Sequence, residues 1–265
     1  MIPKQHQDFL AHAMPLLQTD HRIVGVAAGG SYITDSMDVY SDIDLVVAAE
    51  PEDYSQIMDE KLDIAEKLGN VLTSFTGEHV GEPRLLVCLY GPLLLHVDLK
   101  FVSLSDIARR VEDPAILWER DGRITEALKT REAKFPTPEL QWMEDRFWAW
   151  VHYTAAKIAR RELFEAIGAI GFLREVVIGP LLLMKNGKLP RGVRKLETDA
   201  PDSLPALIKT LPEYSAKSCA DALKVLIDLY VELREFHAKN GVVRREQAER
   251  LAMAYLGEIA AGIRE

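Results

Sequence analysis

The hydrophobic period of this chain changes once, at Phe135-Pro136-Thr137-Pro138, and that change limits the folds open to it. Before it, short apolar runs alternate with stretches of helical spacing. After it, apolar residues fall almost entirely on a three-to-four repeat. Each pattern buries its apolar face in only one kind of layer, so the first half predicts a sheet covered by helices and the second a helical bundle. The chain has 265 residues, and a boundary at 135/136 leaves two bodies of ordinary domain size, 1–135 and 136–265.

In the first half, His6 to Leu17 reads as an amphipathic helix. Ile23 to Ala28 is a compact apolar run that breaks at Gly29-Gly30-Ser31, a strand entering a glycine turn. Asp42 to Ala48 reads as a second strand. Glu52 to Leu68 has the spacing of one helix, with Gly69 as its C-terminal cap, and Val71 to Phe75 as a third strand. Arg84 to Tyr90 and Leu93 to Val102 flank Gly91-Pro92 as a hairpin. In the second half, Thr137 suits an N-cap with Pro138 in the first helical position. Helices are predicted over 140–163, 165–184, 212–237 and 244–263, punctuated by Asn186-Gly187 and Asn240-Gly241.

Composition excludes several classes of function. The net charge is −9, which disfavours bulk nucleic acid as the main partner and favours small cationic ligands. Cys88 and Cys219 are too few and too far apart for a disulfide framework or a zinc site. The N-terminus lacks an apolar signal core. The longest uncharged apolar stretch, Leu85 to Val97, is shorter than the ~20 residues that span a bilayer. A cytoplasmic protein without a membrane segment is expected, as a monomer or homodimer.

The chemistry concentrates in three acids. In Asp42-Ile43-Asp44-Leu45-Val46-Val47, residues two apart share a strand face, so both carboxylates point one way while Ile43, Leu45 and Val47 point the other. Their Cα atoms are about 7 Å apart, close enough for the side chains to converge on a divalent cation. Asp98 lies in the strand Leu93 to Phe101, whose odd-numbered positions are all apolar and whose opposite face carries Leu94, His96, Asp98 and Lys100. A carboxylate amid so apolar a strand needs a partner. If the two strands are neighbours, Asp98 completes a three-carboxylate site. Upstream, Gly29 and Gly30 let backbone N–H groups approach a phosphate, and Ser31 adds a hydroxyl. Neither a P-loop nor a Rossmann fingerprint is present.

Gly29-Gly30-Ser31, ten residues, then Asp42-Ile43-Asp44-Leu45, with a later strand acid, resembles the signature of the nucleotidyltransferase superfamily that includes DNA polymerase beta. The Ser41-Asp42 junction is also typical of it. A nucleotidyltransferase domain followed by a helical domain is similar to the bacterial aminoglycoside and lincosamide adenylyltransferases. The resemblance implies an α/β (α+β) nucleotidyltransferase domain with a mixed sheet, followed by an all-α substrate-binding bundle. It implies that Gly29, Gly30, Ser31 and Ser41 hold nucleotide phosphates. It implies that Asp42 and Asp44 bind magnesium, two ions in all, and that Asp98 completes the metal site or helps activate the acceptor. The implied reaction is AMP transfer from ATP to a hydroxyl of a small acceptor, as in antibiotic resistance. Two other readings stay open: a non-catalytic regulatory or toxin–antitoxin partner of the same fold, and an enzyme of this fold that modifies a protein or an RNA end.

Beside these, Lys157, Arg160 and Arg161 close the first long helix of the second half. Lys157 is the first choice of the three to reach the triphosphate, against the ordinary reading of a cationic last turn. His96 and Lys100 share the face of Asp98, and each is also an ordinary strand residue. Glu78 and Glu82 are further candidates for a general base or a cation-binding acid, against a solvated loop. The active site is expected in a cleft between the two halves.

Overall fold

A computed structural model describes residues 2–238 and 241–263. The chain separates into two compact units, Met1–Phe135 and Pro136–Glu265. The first is built on six strands: β1 (Ile23–Ala28), β2 (Ile43–Ala49), β3 (Val71–Gly77), β4 (Glu82–Tyr90), β5 (Leu95–Ser103) and β6 (Ala115–Glu119). They form one sheet in the order β3-β4-β5-β2-β1-β6. β2 and β5 run parallel and every other neighbouring pair is antiparallel, which makes the sheet mixed.

Helices α1 (Lys4–Thr19), α2 (Tyr54–Asp59) and α3 (Lys61–Lys67) cover one face. There Leu10, Leu17, Ile57, Ile64 and Leu68 pack with Ile43, Leu45, Val97, Leu99 and Phe101. The opposite face has a smaller cluster, in which Ile124 of α4 (Arg123–Lys129) meets Val24, Ala48 and Val102. That cluster lies toward the ends of β2 and β5 and leaves the start of β2 outside it. The single helix expected over Glu52–Leu68 is in fact two, broken at Glu60, whose carboxylate pairs with Arg22 at 2.8 Å. β6 and α4 lie in a stretch to which the sequence pattern assigned nothing.

The second unit contains α5 (Leu140–Ala159), α6 (Leu163–Leu173), α7 (Gly179–Lys185), the short α8 (Leu196–Asp199) and α9 (Leu204–Ile208), α10 (Ala216–His237) and α11 (Glu246–Gly262). Two boundaries correct the sequence reading. α5 begins at Leu140 as expected, but behind Glu139, so Thr137 is not its cap, and it ends at Ala159 rather than 163. α10 begins behind Ser215, whose hydroxyl accepts from Ser218 N at 3.1 Å, rather than at Pro212. Asn240 lies outside the described residues.

A π-helical turn over Arg174–Ile178 joins α6 to α7. Arg174 Nη1 there donates to Thr210 O at 2.8 Å. Gly179 follows, where a Cβ would meet Gly192 O at 2.3 Å, so only glycine fits that approach. The run Leu163–Lys185 is long and apolar enough to cross a membrane by length and composition, and half of its most apolar window is buried inside the protein. It is longer than Leu85–Val97 but carries Glu165, Arg174, Glu175 and Lys185. Within this core, Phe147 of α5 stacks on Tyr230 of α10 with centroids 3.7 Å apart.

Candidate metal and nucleotide site

The register of β2 on β5 decides where the acids stand. Ile43 lies opposite Val97, Asp44 opposite Asp98 and Leu45 opposite Leu99. The apolar partners are buried, so both acids project from the other face. Neighbouring strands are about 4.8 Å apart, which sets Asp44 and Asp98 side by side. Asp42 stands two residues before Asp44, just ahead of the strand. One carboxylate oxygen from each of the three lies within 4.8 Å of the others, and all three residues are half-buried. The neighbouring of the two strands, on which a three-acid site depended, is present.

The glycine turn closes against this cluster. Gly29 N donates to Asp44 O at 2.9 Å and so extends the β1–β2 ladder beyond β1 itself. Gly30 has φ +57°, and a Cβ there would fall 1.9 Å from Asp44 Oδ2. Backbone conformation and space therefore both require glycine. Next to it, Ser31 Oγ is buried and has no hydrogen-bond partner among the described residues. A buried hydroxyl without a partner is costly to leave so, and a ligand oxygen would satisfy it.

No family model matches this chain, and no curated protein matches it in sequence. Among solved structures it is similar to an aminoglycoside 6-adenyltransferase from Bacillus subtilis, at 15% identity and a TM-score of 0.42, covering 98% of this chain and 99% of that one. It is also similar to a nucleotidyltransferase-like protein from Exiguobacterium sibiricum, at 16% identity and a TM-score of 0.39, covering 96% and 89% of the two chains.

Electrostatics suits a cation. Burial pushes the Asp98 carboxyl above its ordinary range, and the charge of Asp42 adds to that. His96 opposes it through a 2.9 Å contact between its Nε2 and Asp98 Oδ1. Three carboxylates this close repel one another until a cation neutralises them. The donors are hard oxygens from flexible carboxylates, the set that magnesium or manganese prefers.

Other candidates are occupied differently. Ser41 Oγ accepts from Asp38 N at 3.0 Å and donates to Asp38 Oδ1 at 3.2 Å, which shapes the loop into Asp42. Its carbonyl accepts from the buried His6 Nε2 at 2.7 Å, a tie from α1 with no signal in the sequence beyond the helix pattern. Lys157 lies in the helical unit with its ammonium 2.6 Å from Glu162 and 2.9 Å from Glu165. Lys100 pairs with Glu82 at 2.7 Å, and Arg84 grips the same carboxylate in a fork of two 2.6 Å bonds. Arg84 above all, helped by Lys100, holds the Glu82 carboxyl down at about 2. Glu82 is thus a poor proton acceptor, and Glu78 is engaged by the Thr76 hydroxyl. A separate cavity of about 510 Å³ lies within the helical unit between α5 and α11, lined by Trp148, His152, Arg245 and Tyr255, and carries none of the three acids.

Proposed function

We propose that this protein is a magnesium-dependent nucleotidyltransferase that moves AMP from ATP to a hydroxyl of a small acceptor. One observation carries the reading: carboxylates from two paired parallel strands, and a third just ahead of them, converge, with a glycine backbone pressed against Asp44. Asp42, Asp44 and Asp98 would hold up to two divalent ions. When bound, these ions supply charge stabilisation for the attacking and leaving oxygens of an in-line displacement.

The chain's own residues do the rest. Gly29 and Gly30 admit the triphosphate close to the backbone, and Ser31 Oγ donates to a phosphate oxygen. The acceptor hydroxyl attacks the α-phosphorus, a new P–O bond forms, the bond to the β-phosphate oxygen breaks, and pyrophosphate leaves with the electron pair. The hydroxyl proton passes to a base, a role we assign to Asp98. Lys157, whose ammonium is paired with Glu162 and Glu165, is kept as the candidate side chain of the helical unit for the triphosphate. We assign that unit to acceptor binding, and the setting to the cytoplasm. A non-catalytic relative would have no need to keep all three acids together, so catalysis is the better reading.

The test is pyrophosphate release from ATP and Mg²⁺ across a panel of aminoglycosides, lincosamides and simple polyols. Asp42→Asn and Asp44→Asn serve as controls. Acceptor-dependent release that both substitutions abolish is the expected result. Label from ATP appearing on a protein hydroxyl instead would move the acceptor class to protein. Near wild-type turnover in Asp44→Asn would sink the assignment.

A further inference from the structure

We propose that His96 is a positioning residue for this site: its Nε2–H hydrogen-bonds Asp98 Oδ1 and fixes the orientation in which the carboxylate meets the cluster. The inference rests on the reading of the three acids as a cation site. His96 and Asp98 are two apart on β5, on the face opposite the buried Val97 and Leu99. Their contact is 2.9 Å, the Asp98 side chain is 20% exposed and that of His96 is 48% exposed. An ionised carboxylate only accepts hydrogen bonds, so the imidazole must carry its proton on Nε2, and the other nitrogen faces away from the acid. A carboxylate with one oxygen tied in this way has lost a rotational freedom that it would otherwise lose on binding the cation. Groups that orient metal ligands commonly change metal affinity 10–100-fold when removed.

The half-exposed ring also makes the test clean, because its loss opens no core cavity. Three observations decide it. Ring nitrogen shifts of His96 should report the Nε2–H form in the neutral imidazole. Mn²⁺ titrated into the nucleotide-free protein and followed by electron paramagnetic resonance should bind His96→Phe about tenfold more weakly than wild type. His96→Gln, whose amide can donate to the same oxygen, should recover most of that loss, and the metal-free melting temperature should be the same in all three proteins. Equal Mn²⁺ affinity in wild type and His96→Phe, absence of rescue by Gln, or an Nδ1–H ring would each overturn the positioning role and leave the cation site standing. A wild type that binds no Mn²⁺ would overturn both.

Discussion

Gly30 concentrates the demands of the site in one residue. Gly30→Ala asks a methyl-bearing residue to adopt φ +57° and places its Cβ on Asp44 Oδ2. The backbone strain costs about 1–2 kcal/mol, well within what a folded domain tolerates. The displaced carboxylate is the larger loss, since a shift near 1 Å at reacting groups costs about 10²-fold. Gly30→Ala should therefore remain folded by circular dichroism while its transfer rate falls by about 10² or more. A wild-type rate would show that Asp44 need not stand where it does. Asp98→Ala makes the complementary case: it removes a carboxylate that burial has pushed toward the neutral form. Mg²⁺ or Mn²⁺ should raise the melting temperature of the wild type by binding the folded state. Asp98→Ala should shrink that rise, and an undiminished rise would make Asp98 a structural strand residue. These acids were legible in the sequence because alternation alone fixes the face of a strand residue. The contacts that hold Ser41 and Lys157 were not legible in the same way. Their partners, Asp38 and His6 for one and Glu162 and Glu165 for the other, are matters of side-chain geometry that periodicity does not carry.

At the scale of elements, the long periodic segments announced themselves and the short ones did not. β6 is five residues with no fully buried side chain, so it has little alternation to display. It exists because β1 offers an open edge, pairing Val26 with Trp118 and Ala28 with Ala115. Between α2 and α3, Glu60 leaves the helical conformation (φ −95°, ψ 5°) and pairs with Arg22 from beyond the helix, a contact that spacing does not display. In the helical unit the informative element is α5, which carries an acid into the core. Glu144 is fully buried and accepts from Tyr230 Oη at 2.6 Å, Arg245 N at 2.9 Å and Trp148 Nε1 at 3.2 Å, with Arg234 Nη1 3.2 Å away. Burial alone would raise its pKa. The hydrogen bonds from Arg245 N and Tyr230 and the charge of Arg234 outweigh that and leave it lowered. A carboxylate whose folded pKa lies below its unfolded one contributes fully above the unfolded value and loses that contribution as pH falls through the folded value. Denaturant midpoints of the helical unit should therefore decline as pH drops below about 4.5. Glu144→Gln should be less stable by about 3 kcal/mol at pH 7, because it leaves Arg234 buried with less countercharge. A pH-independent midpoint in this range would show that Glu144 is not ionised in the folded state.

At the scale of the whole molecule, the two units carry one buried cysteine each, Cys88 in the sheet and Cys219 in α10. Burial pushes the Cys88 thiol up to about 11 and raises Cys219 as well, so neither should react with a thiol reagent until its surroundings open. Labelling in dilute urea thus reads the opening of each unit separately. Mg²⁺ with a non-hydrolysable ATP analogue should slow labelling of Cys88 and leave Cys219 nearly unchanged, as measured by mass spectrometry of the labelled peptides. Equal protection of both would mean that the units open together. The parallel pairing of β2 with β5 has a further consequence, in the order of synthesis. Asp42 and Asp44 leave the ribosome early, but their neighbour in the sheet is made only after α2, α3, β3 and β4. Long-range parallel pairing is slow to form, so a chain cut short before residue 95 holds two of the acids, the glycine turn and no β5 to complete them. Unfinished copies of this protein should consequently be inert toward nucleotide, and the capacity for chemistry arrives in a single step when the hairpin docks.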